Sequence, residues 1–506
     1  MTDQCSPCSR PATWSATQIA GLVGILLLAA SARFYLLGDQ SLWYDESDRV
    51  FIASLPVWEI FPTMAEEGLH YLPLYFLVQK PFVEPFSETA ARFPSACFGI
   101  LAVVLMAQVG REFWGRRAGL MSALLLALNP FHVWFSRDAS FYALVALSSL
   151  GTLYFFLRLL RAQRTWLWVG LTLFTGLGIC THYFAFVMPV VQLVYLAITL
   201  RRNHPMLRPW LLSQVGAFLP LVPWYVFVTL RREFYFGSAA LVPPTPIEVV
   251  YTLWNFSIGY TGDLTLPVVL SLIVFWSMLA LGLVSLFRRR PDLGSLLVLW
   301  FAFPVAMTYL MALRLPMYVD RYLMPTFPAF VLIVVAGLVA LGRRWGTLGL
   351  VALVAASALG TVRIYCDPAY DKEDWRGVAQ YIKQHEQPND LVMPLLYQSL
   401  TPLLGQYYHG QAPIEPVLIG DQGRDPETLV ANHRRVWLII PQHQNSTHLL
   451  ARCQPFDTLN PVNYTSPFER AIRPWLEIHL SELVWHHDFV CISVLLFDLS
   501  ATGEGP

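Results

Sequence analysis

RFPSACFGILAVVLMAQVGREFWGRRAGLMSALLLALNPFHVWFSRD, residues 92–138, decides the fold. It holds two apolar runs, roughly 93–110 and 118–135, each near the length that crosses a hydrocarbon layer. In lipid such runs are helical, because a helix satisfies its own backbone hydrogen bonds. The link between them carries Arg111, Arg116 and Arg117 against one acid, Glu112. Short arginine-rich links stay on the cytoplasmic side. The stretch therefore reads as a helical hairpin with its turn inside. Its far ends, Arg92 and Ser136-Arg137-Asp138, share the outer face.

The same pattern extends along the chain. Of 506 residues, 55% are hydrophobic and 13% charged, and mean hydropathy is +0.48. A soluble domain carries about 25% charged residues. Further basic links hold Arg158, Arg161 and Arg164, then Arg201, Arg202 and Arg208, then Arg288–Arg290, then Arg343 and Arg344, with Asp292 as the other acid. They separate spans at 17–37, 93–110, 118–135, 141–159, 166–182, 184–200, 210–229, 266–287, 294–311, 323–342 and 347–363. The expectation is a polytopic α-helical membrane protein of about 11 helices in a cell (inner or plasma) membrane. Residues 1–16 form a cytoplasmic tail and 17–363 the membrane module. Residues 70–83 are short and broken by Pro73 and Pro81, so they read as a half-inserted helix on the outer face.

This topology gathers polar residues outside. The first outer loop, 38–92, holds Asp45, Glu46, His70 and Arg92. Shorter turns hold Arg137 and Asp138 before Tyr142, then His182 and Tyr183, then Tyr318, Asp320, Arg321 and Tyr322. A long loop at 230–265 carries Arg231, Arg232, Trp254, Tyr260 and Asp263. The segment from 364 to 506 holds 17 of the chain's 34 acids. It reads as an extracytoplasmic α/β domain. DKEDWRGVAQYIKQHEQ has helical apolar spacing, and LVMPLL, RRVWLII and CISVLLFDLS read as buried strands. His486-His487-Asp488 reads as a polar loop before the last strand. Cys366, Cys453 and Cys491 lie outside, where a disulfide can form.

Adjacent acids at a membrane interface are costly unless water, a cation or a partner satisfies them. Carboxylates and histidines converging there suit a divalent cation or a general base. Arginines suit a phosphate through bidentate, charge-assisted bonds. A carboxylate base beside a phosphate site at the lipid boundary implies a substrate with a lipid tail and a phosphate head.

Several stretches extend that reading. They are LWYDES at 42–47, HYLPLY at 70–75, RFPSA at 92–96, FWGRRAG at 113–119 and NPFHVWFSRDA at 129–139. THYF at 181–184, RYLMPTFP at 321–328 and KEDWRG at 372–377 complete them. Together they resemble the family-39, dolichyl-phosphate-mannose-protein-mannosyltransferase-like glycosyltransferases of the GT-C class. The resemblance implies an inverting transfer from a polyprenyl-phosphate-linked monosaccharide to an acceptor hydroxyl at the outer face. It casts Asp45 as general base, with Asp138 lining the same site and Glu46 as a positioning or cation-binding neighbour. Arg92, Arg321 and Tyr322 would face the donor phosphate, with His70, Arg137, Tyr142, His182 and Tyr183 as further substrate contacts. The chain departs from relatives in carrying Arg137-Asp138-Ala139-Ser140 where they often have Gln-Glu-Ala-Arg, so Arg137 is the substitute for the missing arginine. The partners implied are the lipid-linked donor, membrane lipids and an acceptor that is protein, lipid or glycan; no nucleic acid is expected. A divalent cation is the one cofactor under consideration. The alternative reading is a lipid-linked-sugar translocase or transporter without transferase activity, and a third is a sensor acting through the outer domain.

Overall fold

The computed structural model describes residues 14–66, 72–199, 204–231, 243–260, 264–289, 291–315, 317–396, 401–418, 425–441 and 467–499. The chain is a multi-pass membrane protein. Seven helices among the described residues are long and apolar enough to cross a membrane: α1 (Ala16–Phe34), α5 (Glu88–Trp114), α8 (Tyr142–Leu159), α11 (Leu207–Leu230), α13 (Leu266–Arg289), α14 (Pro291–Ala312) and α16 (Gly342–Cys366). The pair α6 (Arg116–Leu128) and α7 (Pro130–Ser136), bent by 61°, counts as an eighth. The remaining predicted spans fall on shorter apolar helices: α9 (Thr165–Ile179), α10 (Val187–Ile198, after a 3₁₀ turn from Tyr183) and α15 (Phe327–Ala340). Every predicted span thus meets a helix; among the described residues seven helices, or eight with the bent pair, are long and apolar enough to cross a membrane, and the other three predicted spans fall on the shorter apolar helices.

The bend between α6 and α7 has a local cause. Pro130 has no N–H to continue the ladder, and Asn129 caps the new helix by accepting from His132 N at 3.2 Å. Carbonyls freed by such a break must find donors in a membrane. Arg33 Nη1 donates to Ala127 O at 3.0 Å, and Thr361 Oγ1 donates to Leu128 O at 2.8 Å. The bend stops α7 short and leaves the turn at 137–141 inside the protein, with Asp138 fully buried. Elsewhere close packing rests on glycine. A Cβ at Gly282 would collide with Ile333 O, and one at Gly337 with Met278 O, so α13 and α15 pack backbone to backbone.

The first loop is largely helical. α2 (Tyr44–Ser54) and α3 (Val57–Glu66) precede α4 (Leu74–Gln79), which with a 3₁₀ turn at Lys80–Phe82 lies in the predicted half-inserted segment, described from residue 72. At six residues α4 cannot cross a bilayer. It buries Tyr75, Phe76 and Gln79 in the protein. The loop expected at 230–265 contains α12 (Ile247–Ile258); Arg232 and Asp263 lie outside the described residues.

The segment after α16 builds a five-stranded sheet of order β2-β1-β3-β5-β4. β1 (Asp390–Leu396) pairs in parallel with β2 (Val417–Leu418) and β3 (Arg435–Pro441); β5 (Ile492–Asp498) is antiparallel to β3 and β4 (Leu483–Phe489). Alternation along the strands sends side chains to two faces. Leu391, Met393, Leu438 and Phe497 pack on α18 (Pro467–His479) through Trp475. Val392, Trp437 and Val494 pack on α17 (Trp375–His385) through Trp375, Val378 and Ile382. That second layer is continuous with Leu42, Val50 and Ile52 of the first loop, so the sheet unit is seated on α2 by one shared core. The expected polar loop at His486–Asp488 is in fact strand β4, with His486 opposite Leu495 and Asp488 opposite Ser493. Three polar residues in a row hide an edge strand from a hydrophobicity reading. Cys366 is free and Cys491 is disulfide-bonded.

Candidate active site

The site lies where the first turns of α2 and α5, the turn at 137–141, the 3₁₀ turn Asp320–Leu323 and the segment entering α17 converge. Asp45 and Glu46 are not in a loop. They open α2, where unpaired backbone N–H groups favour negative charge. The helix then splits the two acids, because successive residues point about 100° apart.

Glu46 turns inward and is wholly buried. Arg92 grips it with two bonds, Nε to Oε1 at 2.8 Å and Nη2 to Oε2 at 2.7 Å. Ala139 N donates to Oε1 at 2.7 Å, and Trp43 N to Oε2 at 3.3 Å. Arg92 also donates to the carbonyls of Leu37, Gln40 and Ser41, so one guanidinium ties α5 to the entry of α2. Asp138 is buried beside this pair and accepts from Trp43 Nε1 at 2.7 Å. Lys372 closes the cluster. Its Nζ lies 2.8 Å from Asp138 Oδ1 and 3.0 Å from Glu46 Oε1. Burial pushes the Asp138 carboxyl up, but the Lys372 ammonium outweighs it and holds the group well below the usual carboxylate range.

Asp45 turns the other way and keeps some exposure, 14% of its side chain. Arg321 Nη2 pairs with its Oδ2 at 3.1 Å. Arg321 is itself held by Asp320, which accepts from its backbone N at 2.6 Å, from Tyr260 at 2.8 Å and from Asn255 at 2.5 Å. Tyr322 packs at 5.4 Å from His182, and Tyr142 at 6.0 Å from the same ring. Arg49, one turn after Asp45, donates to the Asp45 carbonyl and stands 4.8 Å over Phe141. Burial, then Arg49 and Arg321, lower the His182 imidazole to about 3, so it is neutral at physiological pH. Its Nδ1 accepts from Phe184 N at 3.2 Å. Buried polar groups seldom lack partners unless a ligand or water completes them. Of the described residues, Arg321 Nε and the Tyr142 hydroxyl in this half of the site are among the buried groups that lack one, as is Asp138 Oδ2 in the other half.

Glu373 is a further buried acid near α2. It accepts from Tyr44 N at 3.0 Å and from Trp375 Nε1 at 2.6 Å. Burial raises its carboxyl to about 7, against those two bonds and with help from Asp45 and Glu46.

The structure thus brings together Asp45, Glu46, Arg92, Asp138, Tyr142, His182, Arg321 and Tyr322. It takes Arg137 elsewhere: its guanidinium donates to the carbonyls of Arg33, Tyr35 and Leu36 and lies 4.6 Å over Tyr365, capping the end of α1. Tyr183 packs 6.3 Å from Phe186. His70 lies outside the described residues. Sequence reasoning missed Arg49, Lys372 and Glu373. Arg49 follows Asp45 by one helical turn, a spacing visible only once α2 is known to be a helix. Lys372 and Glu373 open the KEDWRG stretch, where they read as the start of an amphipathic helix. Among the described residues, no group of three or more His, Cys, Asp or Glu is placed to hold a metal ion.

The fold is that of the GT-C membrane proteins. The crystal structure of ArnT from Cupriavidus metallidurans bound to undecaprenyl phosphate superposes with a TM-score of 0.57 at 15% identity, covering 97% of this chain and 100% of that one. Its apo form gives 0.57 at 14%, covering 95% and 98%. AglB from Archaeoglobus fulgidus, in complex with an inhibitory peptide and a dolichol-phosphate, gives 0.50 at 11%, covering 84% and 69%. Residues 73–227, from α4 through most of α11, match the family of dolichyl-phosphate-mannose-protein mannosyltransferases. No curated protein matches the sequence.

Proposed function

We propose that the chain is an inverting membrane glycosyltransferase that moves a monosaccharide from a polyprenyl phosphate to an acceptor hydroxyl, with Asp45 as general base. The observation that carries the reading is the division of labour among three acids. Glu46 and Asp138 are wholly buried and engaged by Arg92 and Lys372, whereas Asp45 retains exposure and faces Arg321. The matched family and the lipid phosphates named with ArnT and AglB support the donor class.

In this mechanism the donor's phosphate takes the Arg321 side, where Arg321 Nε and the Tyr142 hydroxyl offer buried donors. Arginine stabilises the charge that grows on the leaving phosphate. Once Arg321 turns to the phosphate, Asp45 is released to accept the acceptor's proton. The hydroxyl oxygen bonds to the anomeric carbon from the face opposite the phosphate. The carbon–oxygen bond to phosphate breaks, and its electron pair leaves with the polyprenyl phosphate. His182, neutral, shapes the sugar pocket with Tyr322 and Tyr142 and does not compete as a cation. The site faces the extracytoplasmic side of the membrane, with the sheet unit as a domain above it. The test is purified protein with a panel of radiolabelled polyprenyl-phosphate hexoses and pentoses. Release of polyprenyl phosphate with labelled acceptor is expected; flipping of label in vesicles without turnover would favour a translocase instead.

A further inference from the structure

We infer that Lys372, carried by the segment entering α17, is a built-in cation that takes the place of a divalent metal ion between Glu46 and Asp138. This rests on the transferase reading above and concerns the same site. Two wholly buried carboxylates meet there, and the atom that satisfies both is Lys372 Nζ, at 3.0 Å from Glu46 Oε1 and 2.8 Å from Asp138 Oδ1. Those distances suit N⁺–H···O⁻ bonds. The ammonium is walled by indole rings, Trp43 at 5.9 Å and Trp134 at 5.7 Å.

Charge balance argues against a further cation at this point. Glu46 and Asp138 carry two negative charges, and Arg92 and Lys372 supply two positive ones. A divalent ion added here would leave an uncompensated charge in a buried place, which is strongly unfavourable. Ala139 N and Trp43 Nε1 donate to the same two oxygens that Lys372 engages, and among the described residues the Asp138 oxygen left without a partner is Oδ2.

Lys372 is accordingly a positioning residue. It fixes Glu46, and through it the first turn of α2 on which Asp45 stands, and it fixes Asp138 at the head of α8. The cation is delivered by the sheet unit, 234 residues after Asp138 in the chain. The unit is thus part of the catalytic assembly and not an appended module. A lysine cannot be removed by chelation or exchanged for another ion.

The test uses the full chain in lipid nanodiscs with the donor panel above. Transfer by the wild type is expected to be unchanged by EDTA. Lys372→Ala should lose about 10- to 100-fold in rate, the scale of losing a charged hydrogen bond. Ethylammonium or millimolar Mn²⁺ should restore part of that loss, and Lys372→Arg should keep most of the rate. Partial rescue by a small cation is not expected if Lys372 only holds the domain in place. Loss of wild-type transfer in EDTA, regained with Mn²⁺ or Mg²⁺, would overturn the inference while leaving the transferase reading standing. A wild-type rate in Lys372→Ala would overturn it as well. The EDTA comparison needs no variant, so it decides even if Lys372→Ala does not fold. Absence of transfer by the wild type from every donor overturns the transferase reading itself.

Discussion

The two halves of the site carry the same kinds of groups under opposite conditions. On one side, Glu46 and Asp138 are sealed from solvent, bonded to Arg92, Lys372, Trp43 and Ala139. On the other, Asp45 and Arg321 form one ion pair with 14% and 15% of their side chains exposed. A sealed cluster of buried, charge-paired groups is expensive to break. A partly exposed pair can open and exchange its partner for a ligand. Under the function proposed above, framework falls to one half and chemistry to the other, although the acids at 45 and 46 are neighbours in sequence.

That contrast can be broken at each end. Asp45→Asn keeps the shape and removes the proposed base, so the rate of transfer should fall by about 10²–10⁴-fold with the melting temperature nearly unchanged. A steady-state assay beside a melting curve checks both. Arg92→Met should do the reverse in kind. It leaves Glu46 buried without its main partner, and unfolding stability should drop by roughly 3–5 kcal/mol, read as a lowered melting temperature of the detergent-solubilised protein.

A finer probe is pH. The Glu373 carboxyl is raised from an ordinary glutamate value to about 7 in the folded protein. A raised folded-state value means the native state binds the proton more tightly than the unfolded chain. The resulting stability is complete below the unfolded value and is lost as pH rises through about 7. Melting temperature should therefore decline between pH 5 and pH 8 in the wild type. Glu373→Gln, neutral throughout, should flatten that decline and melt above the wild type at pH 8. The smallest effect is expected at the bend. Thr361→Val removes the donor to Leu128 O and should cost about 1 kcal/mol, with little change in transfer.

Much of the architecture was readable in advance because it depends on local composition. Apolar length placed a helix at each predicted span, and the spacing of Trp375, Val378, Ala379 and Ile382 gave α17 its buried stripe. The strands at LVMPLL, RRVWLII and CISVLLFDLS followed from apolar runs. The misreadings have a common origin. α2 looked like a loop because its first turn is crowded with acids that favour a helix start only when the helix exists. The strand at 483–489 looked polar because an edge strand needs little burial. Arg137 looked like a phosphate ligand because its neighbour Asp138 is in the site, yet the turn sends the two side chains to different places.

What the sequence determined alone is what nearest neighbours and fixed periods control: a membrane protein of many helices, a sheet-forming unit after residue 364, and a set of acids and arginines at helix ends. What the tertiary structure decided is which of those residues meet. Glu46 and Asp138 share a lysine from far down the chain, whereas Asp45 keeps a looser arginine. Periodicity reports which face of its own element a residue occupies. Only packing of remote elements determines which charge that face meets and how deeply the pair is buried.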